Sequence, residues 1–387
     1  MSQAAGGNAP AAPGRTAAAD GTYAAYLARR RFGSLDGLRC LCIAAVLWHH
    51  SPLMDPNGPV QLLARGFVGV DMFFVLSGFL ITTLLLREER ATGRISLSAF
   101  YWRRALRILP AYWLLLAAMS VYWIGVKGQH ELAQLVPYYL LFLANFLREQ
   151  IPLMSVTWSL SVEEQFYLCW PLTLAALALT ARSRVLLLIA LILTFMAFAL
   201  GAGAALPRIE TRQAVFVLPV MSYTALLSGA LAAVLLDWPA GFRRLAALCG
   251  FRGAPVVFLV LLLGWLQFSP ENLKSWPGAV MCLLMTLLLV SLVVREDQAL
   301  RPLLTLPPVR RIGEISYGIY LYHLIGLHIA NELVGRLLPE GPARPWVTTL
   351  IYVPVSILIA EVSFRTFERY FLSLKRHHPG GAGGRAS

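Results

Sequence analysis

The chain has 387 residues, of which 58% are hydrophobic and only 14% are charged, a balance that excludes a soluble protein built around one ordinary core. The formal net charge of +13 comes mainly from Arg-rich segments between apolar runs, a pattern typical of cytoplasmic membrane-protein loops and not of a nucleic-acid-binding surface. We therefore predict an all-α, polytopic membrane protein.

The order of segments predicts two tails around one membrane domain. Residues 1–34 are rich in Ala and Gly and lack the apolar core of a signal peptide, so we predict a disordered cytoplasmic tail there. A membrane domain over 35–372 and a second disordered tail over 373–387 follow. About 10 apolar runs are candidate transmembrane helices, at 35–53, 66–86, 110–126, 158–180, 185–206, 215–236, 254–268, 277–294, 315–337 and 346–370.

The distribution of arginines predicts the orientation of these helices. If both termini are cytoplasmic, the Arg-rich segments fall on the inner side, as the positive-inside rule requires. This arrangement holds only if the short apolar segment 137–147 does not cross, so we predict an interfacial or re-entrant segment there. The expected location is the inner (plasma) membrane, crossed many times.

The first apolar run carries Arg39 near its inner end and His49 and His50 at its outer end. A guanidinium within such a helix is disfavoured unless it has a partner or a water-filled cavity, so it indicates a functional site. His50 follows Arg39 by eleven positions, which is about 16 Å along a helix axis. The alternative is an arginine that reaches the headgroups beside two interfacial histidines.

The second run places Asp71 near its outer end and Ser77 at mid-depth. A buried carboxylate needs a partner, and the preceding run offers His49 or His50 at the same side. We therefore expect Asp71 to orient an imidazole and to fix its tautomer, as in an acid–base pair. The alternative is that Asp71 caps the start of its helix.

A basic segment precedes the third run, with Arg104 and Arg107 three positions apart and so on one helical face. Two guanidiniums on one face form a fork for phosphate oxygens. A topology signal or a contact with anionic membrane lipid is the alternative. We expect both arginines to stand just before the helix of run 110–126.

Two later segments also place polar side chains within the membrane. Glu163 and Glu164 are adjacent and point to different faces, so we expect only one of them to face the interior of the bundle. Near the end of the chain, Tyr320 and His323 share a helical face. An aromatic belt is the alternative for the tyrosine. The five cysteines show no ligand-like spacing, so no metal site is expected.

Five motifs in this order resemble the bacterial integral-membrane acyltransferases of the acyltransferase-3 family. They are the Arg39 to His50 element, GVDMFFVLSGFLI, Arg104-x-x-Arg107, WSLSVEEQFY and SYGIYLYH, and together they cover about 35–370. The resemblance implies that His50 is the essential histidine, with Asp71 in support. It implies contacts to an acyl-CoA donor by Arg39, Arg104 and Arg107. The residues that would line or support the site are Ser77, Glu163, Tyr320 and His323.

At two positions the chain departs from the family's motifs, and this weakens their assignment to the site. The family's His-x-Pro is His323-Leu324-Ile325 in this chain, and its final Glu-Arg-Pro is Glu368-Arg369-Tyr370. His323 and Glu368 therefore rank low among the candidate residues. Many relatives carry a further esterase-like domain, and because this chain ends at Ser387 we expect a stand-alone form.

The resemblance implies a membrane-embedded O-acyltransferase with a histidine general base. The donor would be acetyl-CoA or another acyl-CoA, and the acceptor would be a hydroxyl of a carbohydrate or glycoconjugate, next to membrane lipid and without metal or nucleic acid. Direct transfer and an acyl-histidine relay both remain open. The alternatives are a proton-coupled transporter or flippase of a glycan or lipid-linked precursor, and a non-catalytic sensor of the same fold.

Overall fold

A computed structural model describes residues 22–177, 179–201, 208–217 and 220–374, and this part of the chain is mostly helical. The first nine α-helices are α1 Tyr23–Ala28, α2 Ser34–His49, α3 Gln61–Ala64, α4 Val68–Thr92, α5 Leu97–Ser120, α6 Val136–Leu140, α7 Thr157–Leu177, α8 Ala181–Ala199 and α9 Val220–Asp237. The others are α10 Pro239–Cys249, α11 Ala254–Phe268, α12 Trp276–Val294, α13 Arg301–Leu304, α14 Pro307–Glu314, α15 Ser316–Leu337, α16 Arg344–Ser363 and α17 Arg369–Ser373.

The described part of the chain also contains 3₁₀ helices, π-helical turns and two short β-strands. They are 3₁₀ helices at His130–Leu135 and Ala144–Phe146, π-helical turns at Val121–Val126 and Phe364–Glu368, and the antiparallel pair β1 Ile209–Glu210 and β2 Val215–Phe216. In the predicted interfacial segment 137–147 the structure has only part of the short α6 and one of these 3₁₀ helices.

Five described helices are long and apolar enough to cross a membrane: α4, α5 with its π turn, α8, α12, and α16 continued through α17. Helices α9 and α10 pass the same test together but are bent by 109°, so the number is six if this pair forms one span. Each of the ten predicted runs overlaps an α-helix. The helical, multi-span character is thus confirmed, while ten crossings and two cytoplasmic termini stay predictions.

Helix α4 packs closely along α9 through two glycines. A Cβ added to Gly78 would lie 1.9 Å from the carbonyl oxygen of Leu226, and one added to Gly229 would lie 2.0 Å from that of Val75. Small residues let two helix backbones approach within a membrane. This contact fixes the position of Ser77, the residue next to Gly78.

Helix α5 begins earlier than the sequence predicts. Ser96 caps it by accepting a hydrogen bond from the backbone N–H of Ala99, so Arg104 and Arg107 lie within the helix and not before it. Pro110 lies inside α5 and does not start it. A proline in a membrane helix is tolerated when neighbouring helices satisfy the freed backbone groups.

Part of the predicted N-terminal tail is folded. Residues 1–21 lie outside the described residues, but α1 packs its buried Tyr26 against Phe242 of α10, with ring centroids 5.6 Å apart. The structured region therefore begins before residue 35. Of the predicted C-terminal tail, residues 375–387 lie outside the described part.

Candidate active site

Two cavities lie one above the other between α2, α4, α7 and α15. The inner cavity, of about 600 Å³, is on the side of the Arg-rich segments. The outer cavity, of about 440 Å³, is on the opposite side and is lined by His49, His50, Asp71 and Trp158 among others. Val70 and Tyr320 line both cavities. The two spaces therefore meet at Tyr320.

The outer cavity contains a pair of histidines in contact. His50 directly follows α2, and its Nδ1 lies 3.3 Å from Nε2 of His323 on α15. The two rings meet edge to face, with centroids 4.8 Å apart. His323 is fully buried behind His50. The sequence analysis ranked His323 low, whereas in the structure it is the side-chain hydrogen-bond partner of the candidate base.

The hydrogen bonds of this pair assign the protons. His323 Nδ1 is 2.7 Å from the carbonyl oxygen of Tyr320, so Nδ1 carries the proton and Nε2 is an acceptor. The hydrogen on His50 Nδ1 then points to His323 Nε2 or to the carbonyl oxygen of Val46, 3.0 Å away. In the neutral ring this leaves His50 Nε2 with a free lone pair, as a general base requires.

Asp71 and His49 lie at the same cavity but outside this chain of hydrogen bonds. No hydrogen bond joins Asp71 to either imidazole within the described residues, and the helix start has no side-chain cap. His49 Nδ1 is buried without a hydrogen-bond partner. The structure thus places Asp71 and His50 at the same cavity without the direct contact expected from the sequence.

Tyr320 is held firmly at the junction of the two cavities. Its hydroxyl donates to the carbonyl oxygen of Val156 at 2.9 Å and lies 2.6 Å from the hydroxyl of Ser159. Because Ser159 lies in the first turn of α7 and Val156 directly precedes that helix, the phenol ties α15 to α7. A molecule that extends from one cavity into the other must pass this ring.

The outer cavity is lined by one arginine and one carboxylate, whereas the inner cavity is lined by four carboxylates and six arginines. The six arginines are Arg30, Arg31, Arg39, Arg87, Arg104 and Arg107. Of these, only Arg39 forms an ion pair with a described residue, at 2.5 Å from Asp36. Unpaired guanidiniums that face one cavity form a site for an anionic ligand.

The predicted Arg104 and Arg107 face this cavity together. The Arg104 guanidinium lies over the ring of Tyr167, 4.0 Å from its centroid, and its Nε is buried without a partner. Arg107 is within electrostatic range of Arg39 and Arg104. All three predicted donor-contact arginines therefore lie in one cluster at the inner cavity.

The predicted supporting residues Ser77 and Glu163 are bonded to each other across α4 and α7. The Ser77 hydroxyl donates to Oε1 of Glu163 at 2.7 Å, and both line the inner cavity. Glu164 is also half-buried, with Oε1 buried and unpartnered. The expectation that only one of the two glutamates faces the interior is thus wrong, because both lie near Arg104.

Sequence reasoning missed Arg87 on α4. It lines the inner cavity, and its Nη2 is buried without a partner. The only signal in the sequence was a charged residue directly after a long apolar run, which is also how a topology signal looks. Among the described residues, no group of three or more His, Cys, Asp or Glu side chains could hold a metal ion.

Comparison with known proteins adds independent information. Residues 32–363 match a family model described as an acyltransferase domain. The peptidoglycan O-acetyltransferase OatA of Listeria monocytogenes is 26% identical over 365 residues, which cover 88% of this chain and 56% of that protein. The O-acetyltransferase OatA of Staphylococcus aureus is 24% identical over 366 residues, which cover 88% of this chain and 57% of that protein.

A further Staphylococcus aureus protein, from strain COL, is 27% identical over 377 residues, which cover 90% of this chain and 58% of that protein. The chain thus spans a little more than half the length of the curated relatives it matches. No solved structure matches it.

Proposed function

Because the chain belongs to the acyltransferase-3 family, we propose that it is a membrane-embedded O-acyltransferase that uses acyl-CoA and a histidine base. The observation that carries this proposal is the contact of His50 Nδ1 with His323, which leaves Nε2 available as the base, at a cavity that adjoins one lined by unpaired arginines. The family match covers most of the proposed membrane domain 35–372. The proposed location is the plasma membrane.

The inner cavity is the proposed donor site. Acyl-CoA carries its negative charge on phosphates and its reactive thioester at the end of a thin, uncharged arm. Arg39, Arg104 and Arg107 would hold phosphate oxygens, and the arm would extend toward Tyr320. Arg39 and His50 are about 16 Å apart along α2, so a thioester near His50 requires a donor in an extended conformation.

The outer cavity is the proposed acceptor site. Its lining combines the Trp158 ring with polar groups from Gln150, Ser155 and Asp71, and Gln150 Oε1 is buried without a partner. Aromatic faces and hydrogen-bonding groups together suit a sugar ring with hydroxyls. We therefore propose a carbohydrate acceptor of the cell envelope, a class that includes the peptidoglycan in the name of the Listeria relative.

The proposed reaction joins the two sites in one step. His50 Nε2 takes the proton of the acceptor hydroxyl while that oxygen attacks the thioester carbonyl carbon. The new C–O bond forms, the C–S bond breaks, and the proton returns from His50 to the departing thiolate, which gives the ester and free CoA. Base catalysis of this kind contributes about 10²–10⁴ in rate, besides the gain from holding both reactants in place.

The test uses inside-out membrane vesicles from expressing cells, supplied with radiolabelled acetyl-CoA. The readout is base-labile label in the glycan and lipid fractions. His50→Ala should lower this label by about 10²–10⁴, while His130→Ala, at an exposed histidine, should not change it.

Two outcomes would contradict the proposal. Equal label in the wild type and His50→Ala, with the variant present in the membrane at the same level, would remove His50 as the base. Movement of a glycan precursor across the vesicle membrane without any need for acyl-CoA would favour the transporter or flippase alternative instead.

A further inference from the structure

The four consecutive charged residues at the inner end of α4, 87–90, have different surroundings. Three of them form ion pairs with other helices, namely Glu88 with Arg103, Glu89 with Arg184 and Arg90 with Asp237. Arg87 forms no ion pair and no hydrogen bond with any residue that the structure describes. It is also the one of the four that lines the inner cavity.

The Arg87 guanidinium is held in place without being neutralised. It lies over the ring of Phe32 at 5.1 Å from the centroid, and 5.9 Å from that of Tyr26. Stacking on aromatic rings fixes a guanidinium plane and leaves its N–H groups free for an anion. A buried donor without an acceptor is costly, and the buried Nη2 of Arg87 is such a donor.

The segment before α2 shows the same division of roles. Arg29 is tied to α12 and the loop after it, because it donates to the carbonyl oxygen of Val293 and pairs with Glu296 at 3.4 Å. The next two residues, Arg30 and Arg31, are exposed, line the inner cavity and have no ion pair within the described part of the chain. Together with Arg87 they form the mouth cluster.

The mouth cluster lies at a different depth from Arg39, Arg104 and Arg107. Asp71 of the outer cavity and Arg87 are sixteen positions apart on α4, which is about 24 Å along its axis. The corresponding distance from His50 to Arg39 on α2 is about 16 Å. Two separate groups of arginines therefore face one cavity, which fits a ligand with two separate anionic groups.

We propose that the mouth cluster binds the phosphomonoester on the ribose of the acyl-CoA donor, while the deeper arginines bind its diphosphate. This inference rests on the proposed function. The phosphomonoester lies at the nucleotide end, far from the thioester, and it offers three oxygens and about two negative charges to several guanidiniums. A phospholipid headgroup offers the same phosphate chemistry, usually as a phosphodiester with a single charge.

The experiment compares CoA with dephospho-CoA, which lacks only this phosphomonoester. Binding is measured by calorimetry on the full chain in nanodiscs of phosphatidylcholine. The wild type should bind CoA more tightly than dephospho-CoA by about tenfold to a hundredfold, as expected for charge-assisted hydrogen bonds. Arg87→Gln should abolish this preference, because it weakens the binding of CoA but not that of dephospho-CoA.

Two further variants accompany the measurement. Arg90→Gln, three positions along α4 and paired with Asp237, should keep the wild-type preference for CoA. Because Arg30 and Arg31 are exposed, the double variant Arg30→Gln/Arg31→Gln is not expected to affect folding. It should reduce the preference even if Arg87→Gln fails to fold.

Three results would overturn the proposal, each for a different reason. If the Arg87 variant binds CoA and dephospho-CoA more weakly by the same factor, the mouth cluster does not bind the phosphomonoester, although the proposed donor site is retained. If the wild type binds both ligands equally and the variant instead loses phosphatidylglycerol in native mass spectrometry, the cluster holds a lipid headgroup. If the wild type binds neither ligand, the proposed donor is wrong as well.

Discussion

The inner and outer cavities share Tyr320 and Val70 but differ in the charged and titratable side chains that line them. The inner cavity is lined by six arginines, five of which have no ion pair with a described residue. The outer cavity is lined by two histidines, an aspartate, an amide, an indole and one arginine, Arg148, which is paired with Glu210. The contrast fits the proposal that a charged donor binds in one space and that proton transfer takes place in the other, with the phenol ring of Tyr320 where the two meet.

The unpaired state of the inner arginines is a property of their position and not of the local sequence. Neighbouring arginines that face away from the cavity are neutralised by carboxylates, for example Arg103 by Glu88 at 3.1 Å. Between the helices, Arg295 donates hydrogen bonds of 2.6 and 2.8 Å to Asp297 and holds the pKa of that carboxyl below its usual range. These two arginines outside the inner cavity are thus paired with carboxylates, whereas five of the six that line it are not.

The largest effect is expected when the inner cavity loses charge. Arg104→Gln/Arg107→Gln removes two guanidiniums that face a phosphate-sized anion, so CoA binding should weaken about a hundredfold or more. Calorimetry on nanodisc samples measures this. Arg103→Gln is the matched control, because its guanidinium already pairs with Glu88. Unchanged CoA affinity in the double variant would contradict the division between the cavities.

The next effect belongs to the outer cavity. His323→Ala removes the Nε2 that accepts from His50 Nδ1, so turnover should fall about tenfold, in proportion to one hydrogen bond, while the KM for acyl-CoA stays the same. Val46 still offers its carbonyl oxygen to the same hydrogen, which limits the loss.

His323→Gln and His323→Leu separate positioning from packing. The carbonyl oxygen of glutamine can accept the His50 hydrogen, so His323→Gln should recover part of the lost turnover, whereas the apolar leucine should not. Equal turnover in the two variants would mean that His323 only fills space.

A smaller effect is expected for Asp71→Asn. Asp71 shares the outer cavity with His50 but makes no hydrogen bond to it in the described structure, so turnover should fall less than in His323→Ala. The two variants are compared in the same vesicle assay. A larger loss for Asp71→Asn would show that the carboxylate, and not His323, orients the base during the reaction.

The smallest effect on chemistry is expected from Gly78→Ala, which tests how the inner cavity is built. The added Cβ meets the Leu226 carbonyl oxygen at 1.9 Å, so the α4–α9 contact should lose about 1–3 kcal/mol of stability. Thermal unfolding measures the loss. Gly264→Ala has nothing within 4 Å of its added Cβ and should not lower the midpoint, because alanine favours a helix over glycine. Equal midpoints would mean that the two helices can separate at little cost.

The sequence predicted which residues line the site better than it predicted which of them are in contact. Intramembrane Arg39, His50 and Asp71 stood out because charged and titratable groups are costly in lipid, and all three line the cavities. The contact between His50 and His323 joins residues 273 positions apart, so no local pattern contains it.

The same limit explains the other differences. Within the charged run at the end of α4, the sequence alone does not indicate which side chain pairs with a carboxylate on another helix. Arg87 could therefore not be distinguished from Arg90. The start of α5 was misplaced because Pro110 resembles a helix start, while the actual cap, Ser96, lies before a basic segment.

The central claim is that the donor enters from the inner side and reacts at the outer one. Sealed inside-out and right-side-out vesicles, each supplied with labelled acetyl-CoA that cannot cross the membrane, test it most directly. We predict base-labile ester in the inside-out vesicles alone, and its appearance in right-side-out vesicles only after they are permeabilised. Equal labelling of intact vesicles of both orientations would contradict the account.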